Sequence, residues 1–183
     1  MWGQFTSPMI SLGLKAAPDR INISLWSIDM SLRISKPPYS YRDDKAVPHF
    51  DDSGPVIVMD GQCGLCAMTA RWMAHADKAR EFGICRSQTE LGGALLRHYG
   101  IDAQKPESWL YIVDGRVYSA LDGIIRAGAR VGGTGWLFQP LRILPRSLQD
   151  GLYRWVARNR YRIFGRTDMC ALRDEALRAR LME

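Results

Sequence analysis

Short apolar runs alternate with amphipathic stretches from residue 56 onward, and their order predicts an α/β domain. Residues 56–59 are continuously apolar, which is typical of a strand covered on both faces. A strand–helix–strand unit followed by a hairpin and a helix is expected to form a compact α/β sandwich with a mixed sheet. The predicted elements after the first strand are a helix (67–78), a strand (82–85), a helix ending at Gly100, a strand (109–113), its hairpin partner (117–118) and a helix (121–131).

Two local motifs support this order. Asp114-Gly115 separates two apolar runs and predicts a tight β-hairpin, because both residues tolerate the positive φ that such a turn requires. Ser87 and Glu90 have the spacing of a capping box, in which each side chain binds the other residue's backbone N–H. The second helix is therefore predicted to begin at this motif.

Residues 1–54 differ from the remainder of the chain. Apolar and polar residues alternate between positions 21 and 34, which suits a hairpin or an edge strand, and Pro37-Pro38 then indicates a linker. We therefore predict a weakly ordered N-terminal extension over residues 1–54 and a folded domain over residues 55–183. That domain includes a basic, helical C-terminal region over residues 136–183.

The net charge of +6 is concentrated in that C-terminal region, which holds ten basic and five acidic residues. Leu148, Leu152, Trp155 and Val156 have helical spacing and are interleaved with arginines. Such a helix either packs on the sheet with its arginines in solvent or contacts an anionic membrane surface. Nucleic-acid binding is not expected, because no recognised binding motif accompanies the charge.

The beginning of the chain does not resemble a secretory signal, since its first 14 residues carry no positive charge and no continuous apolar stretch. The sequence contains no run of about 18 apolar residues, so no membrane-spanning helix is predicted. We therefore expect a cytoplasmic location, where thiols are kept reduced and cysteine pairs tend to be catalytic or metal-binding.

The strongest chemical signal is a Cys-x-x-Cys pair, Cys63 and Cys66, at the junction between the first strand and the first helix. Backbone N–H groups at a helix N-terminus stabilise a thiolate, which lowers the pKa of the first cysteine and makes it nucleophilic. Cys66 lies one helical turn further on. The pattern predicts thiol–disulfide exchange in which Cys63 attacks and Cys66 resolves the mixed disulfide, with no cofactor.

Two other interpretations of the cysteines stay open. Cys63, Cys66, Cys85 and Cys170 could supply the four ligands of a zinc site in a non-enzymatic module, or the pair could be structural. Asp60, three residues before Cys63, also has two interpretations. It could relay protons between the thiols, or it could bind backbone N–H groups as a turn residue.

Residues 59–66, Met-Asp-Gly-Gln-Cys-Gly-Leu-Cys, resemble the opening motif of the DCC family of predicted thiol-disulfide oxidoreductases. The resemblance continues through Ser87-Gln88, Asp114-Gly115, residues 143–146, residues 159–166 and residues 168–170. It implies a thioredoxin-like fold, a redox-active Cys63/Cys66 pair and Asp60 as a third site residue. The resemblance supports this reaction class and no particular substrate; for the exchange itself we expect a disulfide-containing protein or a small thiol as substrate, and a reducing partner. One departure is that Ser108 stands before Trp109, where thioredoxins place a proline.

Overall fold

The computed structural model describes residues 34–182, and the structural statements below concern this part of the chain. The alternating segment at residues 21–34 therefore lies outside the described residues, except for Ile34. The strands are β1 (Val56–Met59), β2 (Gly83–Arg86), β3 (Leu110–Val113), β4 (Arg116–Ser119) and β5 (Leu181–Met182). The α-helices are α1 (Gly64–Ala76), α2 (Glu90–His98), α3 (Ala120–Val131), α4 (Arg146–Phe164) and α5 (Glu175–Arg178).

The five strands form one mixed sheet in the order β4-β3-β1-β2-β5. β1 is central, with β2 parallel on one side and β3 antiparallel on the other. β4 pairs antiparallel with β3, and β5 pairs parallel with β2. Helices flank this sheet, so the predicted α/β sandwich with a mixed, thioredoxin-like sheet is confirmed.

Strand β1 is buried on both faces, as its continuous apolar run predicted. Val56 and Val58 pack into a core with the apolar side of α2, whereas Ile57 and Met59 pack on the other face with α1. This alternation follows from the two-residue period of a strand. It places the end of β1, and the cysteine pair that follows, between the two halves of the core.

The predicted hairpin is confirmed at Asp114 and Gly115, which both have positive φ values and join β3 to β4. The predicted capping box is wrong. Thr89 caps α2, because its hydroxyl accepts a hydrogen bond from the Gly92 N–H at 3.1 Å. Ser87 is buried two residues earlier, and no partner is found for its hydroxyl within residues 34–182.

Residues 34–53 lie against the domain. Tyr41 is buried in the core beside α2, and its hydroxyl donates to Asp52 at 2.6 Å. The Tyr39 N–H donates to the Gly115 carbonyl in the hairpin at 2.8 Å. The boundary between residues 54 and 55 stays a prediction.

A long C-terminal helix, α4, follows a stretch of 3₁₀-helix at Gly133–Ile143. The sequence predicted that Leu148, Leu152, Trp155 and Val156 form one helical face, and packing on the sheet was one of its two interpretations. Leu148, Leu152 and Trp155 are exposed, and only Val156 is partly buried. The packing interpretation is therefore wrong for these three residues, because the helix contacts the domain through another side, where Tyr153 hydrogen-bonds Ser108 and Arg160 hydrogen-bonds Asp60.

Candidate active site

Cys63 and Cys66 lie at the N-terminal end of α1, directly after β1. Cys63 is the N-cap residue with an extended backbone, and Cys66 lies in the first turn. Their thiols are free and hydrogen-bond each other. The helix begins at Gly64, three residues earlier than predicted, so the sequence-predicted pair does stand at a helix N-terminus.

The two thiols have opposite pKa shifts. The hydrogen bond from Cys66 lowers the pKa of Cys63 to about 6, helped by the backbone N–H groups of Cys66 and Leu65 and by the charge of Arg160, against the opposing effect of burial. The same hydrogen bond and its burial raise the pKa of Cys66. The negative charge is therefore located on Cys63, and the remaining proton on Cys66.

Asp60 is buried beside the pair, and four hydrogen bonds use both of its carboxylate oxygens. Oδ1 accepts from the Gln62 N–H and from the Gln88 side chain, each at 2.9 Å. Oδ2 accepts from Arg160 at 3.0 Å and from the Tyr161 hydroxyl. Burial alone would raise the pKa of Asp60, but these bonds and the Arg160 charge outweigh it and lower the pKa.

Arg160 belongs to the site although it is 100 residues from Asp60 in sequence. Its side chain is buried, forms an ion pair with Asp60 and lies against the Tyr161 ring, 4.9 Å from the ring centre. Its positive charge lowers the pKa of Cys63 and of Cys66. Sequence reasoning placed Arg160 among the solvated arginines, and the only signal for it was its place in a segment that resembles the family.

A short extended segment covers Cys63. We call residues 165–169 the covering segment; they pair antiparallel with residues 61–64 through three hydrogen bonds of 2.9 to 3.2 Å. Cys63 itself faces Arg166 in this pairing. As a result Cys63 has no exposed surface.

Cys66 instead borders a cavity of about 610 Å³ between α1, α3, α4 and the 3₁₀ segment. The walls are mainly apolar, and the indole N–H groups of Trp72 and Trp109 are both bonded within the protein, at 2.9 and 3.1 Å. Arg160 and Ser108, the residue at the expected proline position, also line the cavity. The two thiols thus have different surroundings: Cys63 lies under the covering segment, and Cys66 lies beside an apolar space.

The other two cysteines occupy different environments. Cys85 is buried in β2, where its thiol contacts the Thr89 hydroxyl at 3.3 Å. Cys170 is partly buried in the 3₁₀ turn Met169–Ala171. Within residues 34–182, no three His, Cys, Asp or Glu residues are grouped so that they could hold a metal ion. The described residues therefore do not bring the four cysteines together as a ligand set.

A mixed sheet of this order with a Cys-x-x-Cys pair at the N-terminus of the first helix defines a thioredoxin-like domain. The model of the DCC1-like thiol-disulfide oxidoreductase family matches residues 57–166. The chain therefore belongs to this family, as the sequence resemblance indicated.

Two relatives have the same percentage identity to this chain. The uncharacterized protein YuxK of Bacillus subtilis (strain 168) is 28% identical over 127 residues, which cover 69% of this chain and 93% of that protein. A chloroplastic DCC family protein of Arabidopsis thaliana is 28% identical over 123 residues, which cover 67% of this chain and 72% of that protein. No solved structure matches the chain.

Proposed function

We propose that the protein catalyses thiol–disulfide exchange through Cys63 and Cys66. The observation that carries this proposal is the position of Cys63 at the N-terminus of α1 beside the Cys66 thiol, an arrangement that lowers the pKa of Cys63 to about 6. A thiolate is the nucleophile in disulfide exchange, and a thiol near neutral pKa both attacks and leaves readily. The family match supports the same class of reaction.

In the proposed cycle, the Cys63 thiolate attacks one sulfur of a substrate disulfide and displaces the other sulfur, which leaves as a thiolate and takes up a proton. Cys66 then loses its proton and attacks the Cys63 sulfur. The second substrate thiol is released, and a Cys63–Cys66 disulfide remains. A reducing partner returns two electrons to the pair, and one proton restores the Cys66 thiol beside the Cys63 thiolate.

Asp60 has a positioning role in this proposal. Its lowered pKa and its four hydrogen bonds favour a permanently ionised carboxylate over a group that relays protons. The carboxylate holds Arg160, and the Arg160 charge stabilises the Cys63 thiolate. Loss of Asp60 is therefore expected to act on the thiols through Arg160.

A substrate must also be able to reach the two thiols. A substrate sulfur reaches Cys63 only when the covering segment separates from residues 61–64, which breaks three backbone hydrogen bonds. The apolar cavity beside Cys66 can accept an apolar group of the substrate. We further propose that the substrate is a disulfide-containing protein or a small thiol compound and that a separate partner reduces the pair. The reaction would take place in a reducing compartment such as the cytoplasm.

The test is the reduction of a small fluorogenic disulfide by dithiothreitol, with and without the full-length protein. We expect the protein to accelerate the reaction, Cys63→Ser to abolish the acceleration and Cys66→Ser to accumulate the mixed disulfide. Cys170→Ser is the matched control and should keep the activity. Full activity of Cys63→Ser contradicts the proposal. Metal analysis tests the alternative: one equivalent of zinc in the purified protein, absent from Cys63→Ser, would support the metal-binding module.

A further inference from the structure

Helix α4 presents apolar side chains to solvent. Leu148, Leu152, Trp155 and Ile163 are each between 44% and 58% exposed. At 100° per residue, the four positions lie within an arc of about 80° on the helix. Single exposed apolar residues are ordinary, but a cluster of four on one helix face, interrupted here only by the partly buried Asn159, marks an interaction surface.

The cluster extends beyond α4. Met68 of α1 and Leu137 of the 3₁₀ segment are 60% and 77% exposed, and both border the same cavity as Leu152. We call these residues the apolar face: Met68, Leu137, Leu148, Leu152, Trp155 and Ile163. The cavity that reaches Cys66 is thus bordered by three residues of the apolar face.

Arginines accompany the apolar face. Residues 133–167 contain seven arginines and one acidic residue, Asp150. On α4, Arg158 and Arg162 are exposed and lie along one edge of the apolar cluster, whereas Asp150 lies on the opposite side of the helix. The surface therefore combines an apolar centre with a positively charged edge.

We propose that the apolar face docks onto an anionic lipid bilayer. A helix with this pattern lies in the plane of the membrane surface, with its apolar side chains among the acyl chains and its arginines at the lipid phosphates. Within residues 34–182, no helix is long and apolar enough to cross a membrane. The proposed contact is accordingly peripheral.

Charge complementarity favours an anionic lipid surface over the other possible partners of the apolar face, which are a second copy of the chain, residues 1–33 and a nucleic acid. A second copy of the chain would bring a second arginine-rich surface against the first, and like charges repel. Residues 1–33 carry three basic and two acidic residues and thus offer no net negative charge to the arginines. A nucleic acid would match the charge but not the apolar centre.

The docked orientation would have a consequence for the thiol pair. With the apolar face on the bilayer, the cavity beside Cys66 would open toward the lipid, between Met68, Leu137 and Leu152. Apolar molecules dissolved in the bilayer would then have a direct route to this cavity. The docking itself does not depend on thiol–disulfide exchange, so the two proposals are tested separately.

The experiment is flotation of the full-length protein with vesicles of phosphatidylcholine that contain a third phosphatidylserine, with pure phosphatidylcholine vesicles for comparison. We expect flotation with the anionic vesicles at low salt, and weaker flotation with the neutral vesicles or at high salt. The double variant Arg158→Gln/Arg162→Gln should lower the partition coefficient about 25-fold, since each basic residue near an anionic surface contributes about fivefold. Trp155→Ser should lower it about tenfold, because a large apolar side chain is lost from the contact.

The matched control is Lys78→Gln/Lys105→Gln, which removes the same charge from two exposed positions outside the apolar face. This control should float like the unchanged protein. Absence of flotation with anionic vesicles at low salt overturns the proposal, and so does an equal loss in the control and the arginine variant. Self-association that Trp155→Ser abolishes, without vesicle binding, would assign the apolar face to a second copy instead.

Discussion

Replacing Cys66 by alanine should raise the pKa of Cys63, because the hydrogen bond from Cys66 is the largest cause of its lowered value. The shift from the ordinary 9.0 to about 6 has a large consequence at neutral pH. At pH 7 a thiol of this pKa is about 90% ionised, whereas an unperturbed one is about 1% ionised. Cys66→Ala leaves the helix N–H groups and Arg160 in place, so we expect a pKa between these two values and above about 7.

Ultraviolet absorbance of the thiolate is the suitable assay, because it requires no reagent to pass the covering segment. The titration of each Cys66 variant is compared with that of the double variant that also carries Cys63→Ser, so that the signals of Cys85 and Cys170 cancel and only that of Cys63 remains. Cys66→Ser is the matched control, since its hydroxyl can still donate to the Cys63 sulfur. We expect the pKa of Cys63 to stay closer to about 6 in this control than in Cys66→Ala.

The same shift makes the stability of the reduced protein depend on pH. The folded-state pKa of Cys63 lies below its unfolded value, so the stabilisation is fully present above pH 9.0 and is lost as the pH falls to about 6.

In the absorbance titration, an unchanged pKa of Cys63 in Cys66→Ala would refute the assignment of the shift to the thiol–thiol hydrogen bond. Equal increases in the alanine and serine variants would refute it as well.

Three further substitutions test the surroundings of the pair. Asp60→Asn should cost about 3 kcal/mol in the free energy of unfolding, measured with urea, because it leaves the buried Arg160 without its counter-ion; a loss below about 1 kcal/mol would contradict this. Arg160→Gln should raise the pKa of the first cysteine in the absorbance titration, and the exposed control Arg158→Gln should not; equal effects would rule out a specific role. Gly64→Ala should expose Cys63 to alkylation, because the new Cβ would lie 2.2 Å from the carbonyl oxygen of the last residue of α4 and would push the chain there away. Gly151→Ala is the control, since its Cβ meets no atom within 4 Å. An unchanged alkylation rate in Gly64→Ala would contradict the covering role of residues 165–169.

Local signals predicted the elements that hold the cysteine pair. The apolar run of β1, the turn at Asp114-Gly115 and the position of Cys63 before a helix each depend on residues that are adjacent in sequence. The cap of α2 was misassigned because Ser87 and Thr89 are both competent caps. The end of β2 at Arg86 decides between them, since the Thr89 hydroxyl also donates to the Arg86 carbonyl at 2.9 Å.

The remainder of the site depends on the tertiary fold. Arg160 is one of seven arginines between residues 142 and 166, and sequence alone does not distinguish the one that turns toward Asp60. The covering segment is likewise set by the path of the chain after α4, which returns to pair with residues 61–64. The helical spacing of Leu148, Leu152 and Trp155 predicted a shared face correctly, but spacing does not state whether that face is packed or exposed.

The central claim is that Cys63 and Cys66 form a reversible redox pair. Its most direct test is equilibration of the full-length protein in a series of glutathione redox buffers, followed by alkylation and mass spectrometry of each cysteine. We predict a two-electron transition in which Cys63 and Cys66 lose alkylation together and form an intramolecular disulfide, while Cys85 and Cys170 stay reduced. If no Cys63–Cys66 disulfide forms at any buffer potential, the claim is contradicted.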